Sequence, residues 1–457
     1  MHVAQPASFG VSFLCLLTFS SSVLFGATLE VGPKKPFARI EEAVAKAQPG
    51  DTVRVFPLGE GQPYQRSAVL VRTAGLTISG VGEGEADRVR IDGAGLDYSG
   101  AGRVPRAIFQ FDPGADGGVL EGFELFHARN SECNGAGVRV NQANRVTVRR
   151  CDIHDNDMGT MSNGAIARSS GADQLIEFCR IHANGSKKQP GYNHNLYLGG
   201  TSVTLRGCEV FGSVTGHNVK SRAHYTRVEY CYVHDSANRE FDLVDDKGNT
   251  AVPESDAVLL GNVIVKKAGM DGNKAVIHFG QDGKNDHQGT IDLVHNTIVT
   301  PYQSPVLDLT APGAGAALTN NLIWDRGVGT PHVLVAVRAG AEMKNARGEH
   351  NWLAHGFALP EGWDGAANWI APKGDAPAFV KPESGGYGLG AKQPPRILGA
   401  GLPWDKVVLP LAPGAPPPAE PPRLQQYRLT PFQLVPRADE AKPDLGAGEA
   451  VKNTGQE

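Results

Sequence analysis

The stretch Val146-Thr147-Val148-Arg149-Arg150-Cys151-Asp152-Ile153-His154 decides how this chain is read, because it recurs. Leu175 to Phe178 is followed by Cys179-Arg180-Ile181-His182, Val203 to Gly207 by Cys208-Glu209-Val210-Phe211, and Arg227 to Tyr230 by Cys231-Tyr232-Val233-His234. The series continues at Asn262-Val263-Ile264-Val265, Asn296-Thr297-Ile298-Val299, Asn321-Leu322-Ile323-Trp324 and Asn351-Trp352-Leu353, and Phe123-Glu124-Leu125-Phe126 holds the same place one copy earlier. A second short apolar segment precedes most copies, as in Val138-Val140, Leu196-Leu198, Phe241-Val244 and Val306-Leu309. Both segments alternate apolar and polar with period two, the signature of half-buried strands.

A unit of 23 to 34 residues with short strands and no helix cannot close a core alone. Stacked as coils, each strand pairs in parallel with its counterpart one coil on, about 4.8 Å away, and inward side chains form ladders. The Cys/Asn position is one such ladder, with amide stacked on amide to cap backbone groups inside the tube. Leucine-rich repeats need a Leu-x-Leu frame, and propeller blades need about 40 residues, so both are excluded. The fold class expected is all-β: a single-stranded right-handed parallel β-helix, a solenoid, with an N-terminal capping helix. Phe37, Ile40, Ala43, Val44 and Ala47 fall on one helical face, and Pro49-Gly50 ends that helix before the strand Thr52-Val55.

The expected organisation is a signal peptide over 1–27, the β-helix over 28–370 and a Pro/Gly-rich extension over 371–457. Val11 to Ala27 is apolar and ends in a small residue, as export signals do. This implies a secreted or periplasmic protein with no membrane span once the signal is removed. Pro413 to Pro422 is Pro/Ala-rich and reads as extended chain outside any core. Of 457 residues, 57 are glycine, which suits a chain with many tight turns, and the net charge of −4 leaves no basic footprint for nucleic acid. Five cysteines, Cys133, Cys151, Cys179, Cys208 and Cys231, follow the signal segment; an odd number in a ladder of like rotamers points to buried free thiols.

The outward positions of the middle rungs carry the candidate chemistry. Tyr197, Lys220 and Asp242 point out on successive coils, with Arg139 and His278 extending the stripe, and Asn195, Asn218 and Glu240 are expected as a second outward column beside it. His194, His217, Arg222 and Arg239 lie on the same flank. Such a set suits acidic sugars. β-Elimination from a uronate needs a group that neutralises the carboxylate, a base for the adjacent C–H and an acid for the leaving oxygen. Lys220 is the candidate base if Arg222 and His217 lower its pKa. His194 or Tyr197 is the candidate acid, and Arg222, Arg239, Asn195 or Asn218 would hold the carboxylate. Alternatively Glu240, Asp242 and Asp245 would hold calcium, whose ligands are hard oxygens. The repeated His154, His182 and His234 are expected to stack on the surface, since ligands from parallel rungs do not wrap a tetrahedral metal.

Gly32 to Pro57, with its helix and Pro-Gly-Asp-Thr-Val turn into strand, resembles the start of many proteins of the pectin-lyase-like superfamily of right-handed β-helices. The Cys/Asn ladder resembles the interior stacks of that superfamily, and Pro443-Asp444-Leu445-Gly446-Ala447 is similar to the tail of many bacterial members. Val219-Lys220-Ser221 resembles the lysine segment of the chondroitinase B and alginate lyase family, which implies Lys220 as base. That family places an Arg one rung on, where this chain has Asp242-Leu243-Val244, so Lys220 alone is carried over. The expected function is that of an exported polysaccharide lyase or epimerase acting on acidic polysaccharide. The alternative is a non-catalytic glycan-binding or cell-envelope structural β-helix, whose solvated strand faces would present the same polar residues.

Overall fold

A computed structural model describes residues 1–2, 26–82, 84, 88–283, 285–418, 422–428 and 433–450. The expected signal segment 1–27 lies almost wholly outside these described residues. The chain winds as a right-handed parallel β-helix of three sheets. Sheets 1 and 2 hold 12 strands each and sheet 3 holds 10, every one parallel to its neighbours. One coil runs through Thr147–Arg149 in sheet 1, Asp152–His154 in sheet 2 and Met158–Asn163 in sheet 3.

The repeat in the sequence is the repeat in space. Ile153 pairs in register with Ile181, Ile181 with Val210 and Val210 with Val233, and the column continues through Ile264, Ile298, Ile323 and Leu353. All of these side chains are buried. Val148, Ile176, Leu205, Val228, Leu259, Leu293 and Leu318 make the equivalent column of sheet 1. Each such side chain contributes about 1.5–3 kcal/mol by leaving water.

Two polar columns run down the corners of the tube. At the corner between sheets 1 and 2, Cys151 N–H donates to Cys179 Sγ at 3.5 Å and Cys208 N–H to Cys231 Sγ at 3.3 Å. The thiols then give way to amides: Cys231 N–H donates to Asn262 Oδ1 at 2.9 Å, and Asn262 Nδ2 to Asn296 Oδ1 at 3.0 Å. Asn296, Asn321, Asn351 and Asn368 continue the chain of amide bonds. The five cysteines Cys133, Cys151, Cys179, Cys208 and Cys231 are free and buried. From Cys151 to Asn351, the residue before each ladder position turns the corner with left-handed backbone, as Arg150 does at φ 52° and Tyr230 at φ 54°, and Gly207 and Gly261 supply that conformation without a side-chain clash.

The second column, between sheets 2 and 3, overturns one expectation. Asn156 Nδ2 donates to Asn184 Oδ1, Asn184 to Asn195 at 3.0 Å, Asn195 to Asn218 at 2.8 Å, and Asn218 to Glu240 Oε2 at 2.6 Å. Asn195, Asn218 and Glu240 are therefore interior, with no solvent exposure, and do not form an outward column. They stand at a corner, just before a strand, where the alternation of strand side chains has not begun. Their amides cap the turn backbone instead. The column ends on Glu240, whose Oε1 lies 4.0 Å from Lys266 Nζ, both side chains fully buried.

Outside sheet 2, Phe126, His154, His182, Phe211 and His234 stack ring on ring, with successive centroids 5.4, 5.0, 4.7 and 4.9 Å apart. The N-terminal helix spans only Ile40–Val44, and Ile40, Ala43 and Val44 are buried against the first strands of the stack. The extension returns along the helix. Trp404 and Leu424 pack with Tyr225, Tyr230, Val258, Leu260 and Val294 on the outer face of sheet 1. Gly446 N–H donates to Asn320 O at 2.9 Å and Ala447 N–H to Thr297 Oγ1 at 2.9 Å. Gly414 to Pro418 stays exposed. No helix among the described residues is long and apolar enough to cross a membrane.

Candidate functional site

Sheet 3 sets the site. Its register places Arg139, Met161, Tyr197, Lys220, Asp242, His278 and Asp308 in one column of directly paired positions. The flanking residues Leu196, Val219, Phe241 and Ile277 all point into the core, which turns the column outward. The expected stripe is thus present, and Asp308 extends it.

Asp242 is the hub. Its carboxylate lies 2.5 Å from Lys220 Nζ, 3.0 Å from an Arg239 guanidinium nitrogen, 2.8 Å from His278 Nδ1 and 3.3 Å from His217 Nε2. His278 Nε2 in turn lies 2.7 Å from Thr310 Oγ1. Burial opposes ionisation of Asp242, yet His217, His278 and Lys220 outweigh it and hold the carboxyl well below the usual carboxylate range. Arg239 is therefore spent on Asp242 and reaches Asp308 only at 4.0 Å, so it is an anchor of the hub rather than a free carboxylate clamp.

Arg222 sits at the open side. Its Nε donates to Tyr197 OH at 3.1 Å and one terminal nitrogen donates to Asp282 Oδ2 at 2.9 Å. Its other terminal nitrogen donates to the backbone oxygen of Asp245. Lys220 Nζ also donates to Asp282 Oδ2, at 2.8 Å. Lys220 is thus ion-paired to two carboxylates, which suits an ammonium better than the neutral amine that a base requires.

His194 and His217 stack 5.1 Å apart, and His194 stacks on Tyr197 at 5.7 Å. The backbone N–H of His217 donates to His194 Nδ1 at 3.0 Å. Burial pushes the His217 imidazole down to about 4, with Asp242 opposing, and pushes His194 well below its ordinary value, aided by His217 and Lys220. Burial disfavours the charged form of both rings and leaves them nearly inaccessible, which makes His194 a wall behind Tyr197 rather than an exposed acid. His217 Nδ1 and Arg239 Nε are buried without a hydrogen-bond partner among the described residues.

The structure brings Lys220, Arg222, Tyr197, His194, His217, Arg239 and Asp242 together. It leaves out Asn195, Asn218 and Glu240. Glu240, Asp242 and Asp245 do not converge as a calcium site, and no group of three or more His, Cys, Asp or Glu side chains among the described residues is arranged to hold a metal ion. Glu240 is interior and Asp242 is saturated by cations. Asp245 accepts the N–H groups of Asp282, Gly283 and Asn285 at 2.5, 3.0 and 3.1 Å, so it caps the loop after Gly280. The residue that sequence reasoning missed is Asp282. Its only signal was the polar loop that carries it.

A cleft of about 1310 Å³ lies elsewhere. It runs between the arginines at the corner of sheets 1 and 2, such as Arg150 and Arg206, and the prolines of the extension, and it contains none of the site residues named above. The electrostatic geometry, not concavity, marks the sheet 3 face.

A family model for the right-handed β-helix region matches residues 114–256. Among solved structures, the pectate lyase Pel9A is similar over 93% of this chain and 96% of its own, at 15% identity and a TM-score of 0.53. An alginate lyase from Paenibacillus sp. str. FPU-7 is similar over 69% of this chain and 99% of its own, at 14% identity and a TM-score of 0.50. No curated protein matches the chain by sequence. At these identities the likeness establishes the fold.

Proposed function

We propose that this right-handed parallel β-helix protein is an exported polysaccharide lyase that cleaves a uronate-containing chain laid across the outer face of sheet 3. The observation that carries the reading is the contact of Arg222 Nε with Tyr197 OH at 3.1 Å, one rung from the ion-paired Lys220. Lys220 and Arg222 neutralise the sugar carboxylate and so acidify the adjacent C–H. The Tyr197 oxygen, acting as phenolate, takes that proton and becomes the hydroxyl, with the Arg222 N–H at 3.1 Å holding it in place. The same hydroxyl then protonates the departing glycosidic oxygen, which leaves an unsaturated uronate. Asp242 acts as the positioning residue that fixes Lys220, Arg239 and His278. The carboxylates present do not suit a calcium ion, and no step is assigned to one. An epimerase would share the first half of this scheme.

A second reading rests on the internal pairing of every site cation. A glycan-binding or structural β-helix without chemistry has no need of free charges. The test is the ultraviolet absorbance of unsaturated uronate, followed on pectate, alginate and glycosaminoglycans with the wild-type protein and the Tyr197→Phe and Lys220→Ala variants. Activity that both variants lose supports the lyase. A blank panel with retained glycan binding overturns it in favour of the module.

A further inference from the structure

We infer that the space between Lys220 and Arg222 is a carboxylate seat, which Asp282 occupies in the free protein and which a uronate carboxylate takes over by displacing it. This rests on, and sharpens, the proposed action on acidic glycan. One oxygen, Asp282 Oδ2, meets Lys220 Nζ at 2.8 Å and Arg222 at 2.9 Å. The two cations therefore already converge on a single point at hydrogen-bond distance, with a carboxylate oxygen in it. The Asp282 side chain stands in for the substrate group: same charge, same planar oxygen pair, same partners.

The surroundings allow the exchange. Asp282 is 40% exposed at its side chain, while Lys220 is only 8% exposed. The seat belongs to the scaffold and the occupant to the surface. The loop backbone does not have to move, because Asp245 grips the N–H groups of Asp282, Gly283 and Asn285 and an Asn285 side-chain N–H at 3.1 Å. Rotation of one side chain into water empties the seat.

The energetics favour a carboxylate over any neutral group. Leaving Lys220 without its outer partner strips a nearly buried cation, whereas replacing one carboxylate by another leaves the charge count unchanged. A neutral sugar hydroxyl cannot compensate two cations, so Asp282 excludes neutral glycans as well as holding the site in order. It also reduces apparent affinity, since only the fraction of molecules with the seat open can bind.

The experiment uses small carboxylates on the full chain, so it does not depend on knowing the polysaccharide. Wild type, Asp282→Ala, Asp282→Asn and the double variant Asp282→Ala/Arg222→Ala are titrated with sodium acetate or sodium formate against sodium chloride at constant ionic strength, and thermal unfolding is followed. Asp282→Ala is expected to melt below wild type in chloride and to recover saturably in acetate or formate. Wild type and the double variant should not respond. Asp282→Asn keeps the shape and loop contacts, and should show the same carboxylate response if Asp282→Ala folds poorly. Galacturonate should bind Asp282→Ala about tenfold or more tightly than it binds wild type, with galactose unchanged. Equal responses from all variants, or none, overturn the seat even if the protein proves to be a lyase. A carboxylate response in Asp282→Ala with a blank polysaccharide panel keeps the seat and discards the lyase.

Discussion

Lys220 Nζ and Asp242 Oδ2 lie 2.5 Å apart, joined across one step of sheet 3 by side chains 8% and 1% exposed. Twenty-two residues separate them in the chain. Asp242→Asn removes the anion that Lys220, Arg239 and His278 share. Breaking a buried pair by removing one partner costs about 3–5 kcal/mol. Urea unfolding of the variant should show that loss, together with loss of any lyase activity.

Tyr197→Phe deletes only the hydroxyl that Arg222 contacts and leaves the ring on His194. Loss of a proton-transfer group lowers kcat by about 10²–10⁴-fold. Steady-state kinetics should show this fall with KM little changed, and the melting temperature should stay near that of wild type. A drop in KM-governed binding alone would contradict the role given to the phenol.

The amide column gives a stability prediction. Asn296→Ala leaves both the N–H and the Nδ2 of Asn262 without the oxygen they share, at 3.0 Å each, and deprives Leu259 O of its donor at 2.7 Å. Each orphaned buried group costs about 1–3 kcal/mol. The urea midpoint should fall by the equivalent of about 3 kcal/mol or more, with the denaturant slope unchanged.

Glu240 and Lys266 give a pH signature. Burial, opposed by Lys266, pushes the Glu240 carboxyl up to about 7, and burial, opposed by Glu240, pushes Lys266 down to about 8. The folded state binds the Glu240 proton more tightly than the unfolded chain does, so this residue's contribution falls as pH rises from about 4.5 to about 7. The lysine acts in the opposite sense above about 8. The double variant Glu240→Gln/Lys266→Met keeps an oxygen for Asn218 and removes both charges. Unfolding free energies at pH 5 and pH 7.5 should therefore differ less in the variant than in wild type, and at pH 7.5 the variant should be at least as stable. An unchanged difference would contradict the assignment.

The coils were legible because one local constraint repeats. A left-handed corner followed by a Cys or Asn that caps the next coil leaves the same mark at Arg150-Cys151, Tyr230-Cys231 and His295-Asn296. The stripe Tyr197, Lys220, Asp242 and His278 was legible for a related reason: strand alternation fixes which way a residue faces. Asn195, Asn218 and Glu240 were misplaced because they precede their strands at a corner, where alternation does not apply. Asp282 could not be found from spacing, since it meets Lys220 and Arg222 from 62 and 60 residues away through a loop without period. The docking of the extension was hidden in the same way. Its anchors Trp404, Leu424 and Arg437 follow no repeat, and Arg437 is buried by donating to Gln425 O, Asp444 O and Gly446 O.

The corner columns of thiols and amides link each coil only to the next one, and none of their members faces solvent. That makes the tube modular. A segment from one left-handed corner to the next could be excised or duplicated, and the N–H above the join would still meet an acceptor below it. The outward side chains would then change neighbours without any change inside, so that new surface chemistry on this scaffold can arise by shuffling whole turns as well as by point substitution.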